Sequence, residues 1–444
     1  YVRALEGGES PIDVAFSVNN SINMANGFET QDSPIYACRN QGEIHFLVMW
    51  QDEAKLAAID SIIEQFRALC PFVIVERVNA DSDQIETAMT IPSGTRGPTV
   101  ISLIDRHQLA ELLLMTPGVL NLETMVNNEI LQRFAPVAIE AMRINGRLYG
   151  LPLTMDVDAL YYNRSLVETP AQTLDDLRTQ AGGGVPITLD TNFERAFWGM
   201  RAFGAQLFAP TGAAIMDQGG MAEWLTLLME SREAYDIQLS DDSEAIREQF
   251  INGESAYYVG GADELELLRR VMGDDLRVTL LPSGPSGPAQ PFVTVEGLAV
   301  RADTSEEGRA LALDFMSFLT DVPSQTKLMD EANLVPTNGS VSTADNPFLG
   351  VFSQEAQTAY LLPSLPQSLT LLKLAPNTYR KVLEDGRDAT EVVSELADAI
   401  NRAHDIVVTP TPMPTSEPTA TPVIGTPAAE EPAPVHEGNE VKAE

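Results

Sequence analysis

Asp156 and Asp158 have chemistry to explain, because they interrupt NGRLYGLPLTMDVDALYYN (145–163), which otherwise reads as a turn followed by a buried strand. A carboxylate in a protein interior costs several kcal/mol unless it is paired. On a strand that crosses a polar gap, the same group faces solvent or a ligand. Acids are abundant throughout, 64 Asp plus Glu against 28 Lys plus Arg, so carboxylate pairs by themselves do not argue for the acid and base of a glycosidase. The sequence contains no GxSxG, no HExxH, no P-loop and no GxGxxG after a strand. Nucleophilic, metallohydrolase and nucleotide chemistries therefore lack support, and the expectation is a non-enzyme without a cofactor.

The net charge of −36 argues against a partner read through its phosphates, so no nucleic acid is expected. It serves either solubility or the collection of cations. The two cysteines, Cys38 and Cys70, are too few for a structural zinc site. They fall at the same end of a βα unit and are read either as a disulfide or as two buried thiols. His45, His107, His404 and His436 show no metal-type spacing, so no metal is expected. No apolar run approaches the ~18 residues a membrane-spanning helix needs.

The elements that must carry these residues alternate. IHFLVMW (44–50), FVIVERV (72–78) and PTVISLI (98–104) are continuous apolar runs of strand length, each followed by a segment with helical apolar spacing. Alternation of this kind predicts a parallel sheet with short crossovers. It resumes after 160: TLDDL opens a helix with Thr173 as N-cap, and helices over 194–208, 220–235 and 243–254 precede a strand at SAYYVGG (255–261). FVTVEGLAV (292–300) is a strand, 305–321 a helix, and 389–407 a long final helix. Residues 1–43 are polar and Asn/Ser-rich, an arm, and the Pro/Thr-rich stretch 407–444 is a tail unable to bury apolar surface.

Three blocks give this order a familiar form. NGRLYGLPLTMDVDALYYNRSL, FINGESAYYVGGADELELL and LLPSGPSGPAQPFVTVEGLAV resemble, in sequence and spacing, the crossover, "F-x-x-G-x-A" and return blocks of the extracellular solute-binding proteins of sugar ABC importers, the maltose-binding-protein-like group. The resemblance implies an α/β, two-lobed periplasmic-binding-protein-like fold with a ligand cleft between lobes. Lobe 1 would comprise 44–152 and 292–345, and lobe 2 would comprise 153–291 and 346–406. It implies capture of a small polar solute, whether carbohydrate, polyol or cation, for the permease of an ABC transporter, outside the cell or in the bacterial envelope. The alternative is a surface structural protein with the same fold, self-associating through residues 1–43 and 407–444.

The resemblance also places ligand positions. Trp50 and Asp52 follow the first strand, where the family has a cleft aromatic and a polar partner; Trp50 is otherwise core. Asp105 and Arg106 end the third strand at the mouth of an open sheet, or form a helix-capping Asp beside a solvated Arg. Asp156 falls on an acidic contact position of the crossover, with Leu151 and Pro152 at the hinge. Asp158 shares its strand parity or pairs with a neighbouring lobe. Asp263 stands where sugar binders have a stacking Trp, a departure from the pattern, and Glu296 adds an acid on the return strand. Tyr162 and Trp198 are candidates for the missing ring, Trp198 at a spacing that also suits a helix core. Together Asp52, Asp105, Asp156, Asp263 and Glu296 would give a strongly negative cleft.

Overall fold

The structure, a computed structural model, describes residues 41–90, 97–115 and 118–407. The first half is built on three parallel strands, β1 (Gly42–Val48), β2 (Val73–Asn79) and β3 (Thr99–Asp105), with β1 between the other two. Asp52 accepts a hydrogen bond from the backbone N–H of Lys55 and so starts helix Glu53–Leu69 directly after β1. The helix lays Ile59, Ile62, Ile63 and Phe66 against the sheet, where the Phe66 and Phe46 rings meet Phe315 edge-on at 5.1 and 5.5 Å.

The chain then enters β4 (Gly150–Val157) and passes straight into β5 (Ala159–Asn163), which lies in a different sheet. Strand β6 (Tyr257–Gly260) and strand β7 (Leu276–Thr279) flank β5, both antiparallel to it. Strand β8 (Val293–Val300) returns to the first sheet between β3 and β4, and β9 (Val335–Pro336) closes its far edge in the order β9-β4-β8-β3-β1-β2. The parallel expectation therefore holds for β1 to β3 and for a separate two-stranded pair, Thr188–Asp190 with Gln238–Ser240, but not for the strands that pass between the two larger sheets. The chain leaves the sheet at the end of β4, so β8 must re-enter from that side and run back against β3 and β4.

Two large buried clusters follow this division only in part, since the first also takes in Tyr161, Tyr258 and Leu276 from β5, β6 and β7. One surrounds the six-stranded sheet, and the other gathers Leu177, Phe197, Trp198, Trp224, Leu228, Leu396 and Ile400 from the helices behind β5. Thr173 caps helix Leu174–Gly182 with Asp176 reciprocating, as expected from the sequence. Helix 194–208 was expected too long: it spans Phe193–Ala202, and Gly204 follows it with φ +80°, a left-handed conformation that glycine adopts without steric cost. Helix Pro366–Leu383, which carries Pro376 inside it, has no counterpart in the sequence reading. Cys70 is buried and disulfide-bonded, not a free thiol; Cys38, its expected partner, lies outside the described residues, as do nearly all of the arm and tail.

Glu355, the last residue of helix Pro347–Glu355, is buried, and its carboxylate accepts the Leu281 N–H at 3.0 Å. Burial pushes its carboxyl up to about 7, whereas an unfolded Glu titrates near 4.3. Between those values the folded protein holds a proton that the unfolded chain releases, so this group lowers stability as pH rises through the window. Glu355→Gln is expected to raise stability at pH 8 by up to ~3 kcal/mol and to leave it nearly unchanged at pH 4.5. Urea midpoints at the two pH values check this; equal shifts at both would refute it.

Candidate functional site

Strand register assembles one wall of a cavity. On β4, Thr154 and Asp156 are two residues apart and project to the same face. Their partners on β8 are Glu296 and Thr294, and Glu296 is paired on its other side with Asp105 at the end of β3. Trp50 follows β1 and donates its indole Nε1–H to Glu296 Oε2 at 2.9 Å. Lys55, Asn333, Leu334 and Val335 extend this wall, and Ala262 and Asp263, from the turn after β6, face it from the other sheet. The enclosed volume is about 260 Å³.

Asp156 is open to solvent on its strand, yet the atoms crowding it from both sheets partly desolvate its carboxyl and raise it above the usual range, and the Asp263 charge adds to the effect. Burial likewise raises Glu296, opposed by the Trp50 N–H. The cavity therefore holds carboxyl groups with a weakened preference for ionisation, able to accept hydrogen bonds when charged and donate when protonated. Gly261 admits this approach: a Cβ there would lie 2.6 Å from Asp263 Oδ1 and 3.1 Å from Asp156 Oδ1.

Behind the cavity, Asp158 sits at the single step between β4 and β5 and pairs with Arg195 Nη1. Burial lifts the Asp158 carboxyl to about 7 against the pull of Arg195. Arg195 Nη2 also reaches Glu264 Oε1 at 3.4 Å, and the Tyr258 hydroxyl donates to the same carboxylate at 2.7 Å. Tyr161 OH donates to Gly261 O at 2.7 Å. These bonds tie the turn carrying Asp263 to the strand passage that carries Asp156 and Asp158.

Of the sequence-predicted residues, Trp50, Asp105, Asp156, Asp263 and Glu296 are brought together. The other predicted positions lie off the cavity wall. Asp52 is exposed and occupied as a helix cap. Arg106 is turned away because Nη1 donates to the carbonyls of Glu140, Ala141 and Arg143 at 2.6 to 2.9 Å. Asp105 also caps a helix, accepting from His107 and Gln108 N–H. Tyr162 packs on the second cluster, and Trp198 is core, its ring 5.2 Å from Trp224. Leu151 and Pro152 are buried mid-strand beside Leu298 and Gly297, so the passage between sheets falls at Asp158 instead. Lys55, Thr154, Thr294 and Asn333 escaped the sequence reading; Thr154 and Thr294 had a usable signal, two-residue spacing from Asp156 and Glu296.

A larger cavity, about 610 Å³, opens between helices Leu174–Gly182 and Met221–Tyr235. It gathers none of the acids that converge above, and its Arg178 is engaged by Glu230 at 3.4 Å and by the Tyr235 ring. The smaller cavity is where the charged and polar groups face one another from two sheets.

A family model described as bacterial extracellular solute-binding protein matches residues 61–351. The chain belongs to that family. Its function is accordingly solute capture, and the structural alternative, assembly through terminal arms, has no support. Relatives include a maltotriose-binding protein of Pyrococcus abyssi, 25% identical over 370 residues, covering 77% of this chain and 78% of the relative. A galactooligosaccharide-binding protein of Bacillus subtilis is 21% identical, covering 79% of this chain and 88% of its own. Among solved structures, a cyclo/maltodextrin-binding protein complexed with maltotetraose superposes with a TM-score of 0.72 at 20% identity, covering 82% of this chain and 97% of that one. The likeness establishes the two-lobed fold of maltose-binding proteins. The family is extracellular, and among the described residues no helix is long and apolar enough to cross a membrane.

Proposed function

We propose that this solute-binding protein captures a neutral carbohydrate between its lobes and presents it to the permease of an ABC importer at the bacterial surface, without covalent chemistry. The observation that carries this is the row of Asp105, Glu296 and Thr154 across three neighbouring strands, with Asp156 and Thr294 beside it and Asp263 opposite. Planar carboxyl groups and hydroxyls facing one another suit the hydroxyls of a sugar, and the saccharides named for the relatives agree. Lys55 in the same wall, together with carboxyls drawn toward neutrality, works against a cationic solute. A volume of about 260 Å³ lies below the roughly 300–1,000 Å³ of sites that engulf drug-sized ligands, which fits one or two sugar rings held with the remainder leaving by the mouth.

The lobes in this reading divide at Asp158 and not at 152/153, because residues 153–157 run within β4 of the first sheet. They are 44–157 with 292–345 against 159–291 with 346–406, and closure is a shift of population driven by ligand contacts to both. Its pivot is placed at Asp158. Isothermal titration with maltotriose, maltotetraose, galactooligosaccharides, polyols, polyamines and Ca²⁺ tests the proposal. A saccharide is expected to bind, and Asp156→Asn to weaken it at least tenfold, about 1.4 kcal/mol. Binding of polyamines or Ca²⁺ alone would overturn the carbohydrate assignment.

A further inference from the structure

At the opposite end of β1 from the cavity lies a second constellation, made of Glu43, His45 and Glu76. Glu43 and His45 are two residues apart on β1 and share a face, and the parallel register pairs His45 with Glu76 on β2. His45 Nε2 is 3.0 Å from Glu43 Oε1 and 3.4 Å from Glu76 Oε2. Among the described residues this is a group whose donor atoms, one per side chain, all lie within 4.8 Å of one another. We propose that these three side chains form a binding site for a divalent transition-metal ion, zinc by its donor set, clamping β1 to the edge strand β2.

Distance, charge and valence agree. Zinc bonds to nitrogen and oxygen of about 2.0–2.1 Å at a tetrahedral centre place neighbouring donors roughly 3.3 Å apart, the separation His45 Nε2 keeps from both carboxylates. A neutral imidazole carries at most one proton on Nε2 and can donate to only one of the two acids. A cation satisfies both acids and the ring lone pair together, and two carboxylates balance its charge. The imidazole ligand selects against Ca²⁺ and Mg²⁺, which take oxygen. Three protein ligands leave a coordination position for water. Five residues of extended chain at about 3.3 Å each put His45 roughly 16 Å from Trp50, so the site is separate from solute capture.

The test uses tag-free, chelator-treated full chain. Titration with ZnCl₂ is expected to show one equivalent bound, and zinc at a hundred times its Kd to raise the Tm by about 3–5 °C. His45→Ala and Glu76→Gln should each abolish the shift, while Asp156→Asn and His107→Ala retain it. Unchanged circular dichroism and saccharide affinity in His45→Ala separate loss of the metal from loss of the fold. Zinc heats that persist in His45→Ala, no zinc binding by the native chain, or an equal response to Ca²⁺ would each overturn the site.

Discussion

Replacing Arg195 with methionine is expected to cost about 2–3 kcal/mol of stability, below the range for removing one partner of a fully buried ion pair because this pair is partly open to solvent. Arg195 meets Asp158 at the passage between the two sheets and Glu264 beyond β6. Glu264 keeps the Tyr258 hydroxyl at 2.7 and 2.8 Å and has Arg247 at 3.7 Å; among the described residues Asp158 has no second cation at ion-pair distance. Most of the loss therefore falls on Asp158. Without the cation its carboxyl, already at about 7, moves higher, so the penalty is relieved by protonation and the variant's deficit should be smaller at pH 5 than at pH 8. Asp158→Asn combined with Arg195→Met should recover more than 1 kcal/mol relative to the sum of the single changes. Urea midpoints for the three variants decide it: single losses below 1 kcal/mol that simply add would show that the pair carries no coupling.

The second large effect is on affinity. Trp50→Ala is expected to weaken saccharide binding by roughly 100-fold, because it removes the aromatic part of the wall and leaves Glu296 without the indole N–H that orients it. Trp50 is only 7% exposed and belongs to the first core cluster, so the same change also lowers stability, by about 3–5 kcal/mol. Trp50→Phe separates the two roles. It keeps an aromatic ring and most of the packed volume but loses the donor, and should weaken binding about tenfold with a much smaller fall in Tm. Titration of both variants with the saccharide that the native chain binds provides the check; an alanine variant within threefold of native affinity would remove Trp50 from the site.

Elements with a strong local period were legible. Helix Ala389–Ala403 opens with Asp388 accepting the Glu391 N–H and buries Val392, Val393, Leu396, Ala397 and Ile400 on one face, a spacing visible in the bare sequence. Helix Pro366–Leu383 was not, since Pro376 removes one backbone donor and reads as a helix breaker. In the structure Leu371, Ala375, Tyr379 and Val382 all bury against the second cluster, and tertiary packing outweighs the local penalty. Site residues divided along similar lines. Asp156 and Glu296 are acids that interrupt otherwise largely apolar strands for no local reason, and that anomaly pointed to the cavity. Trp198 and Arg106 are residue types that suit a cleft equally well by composition, but one is absorbed by the Trp224 ring and the other by three backbone carbonyls.

By itself the sequence determined the alternation of strands and helices, the three blocks that mark the family, and the presence of acids where a crossing strand should be apolar. These are properties of neighbours within a few residues, where side-chain period and backbone preference act directly. Only the tertiary structure decided which carboxylates meet. Strand register sets Glu296 between Asp105 and Thr154 and brings Glu76 beside His45, and a shift of one residue would turn every one of those side chains to the opposite face.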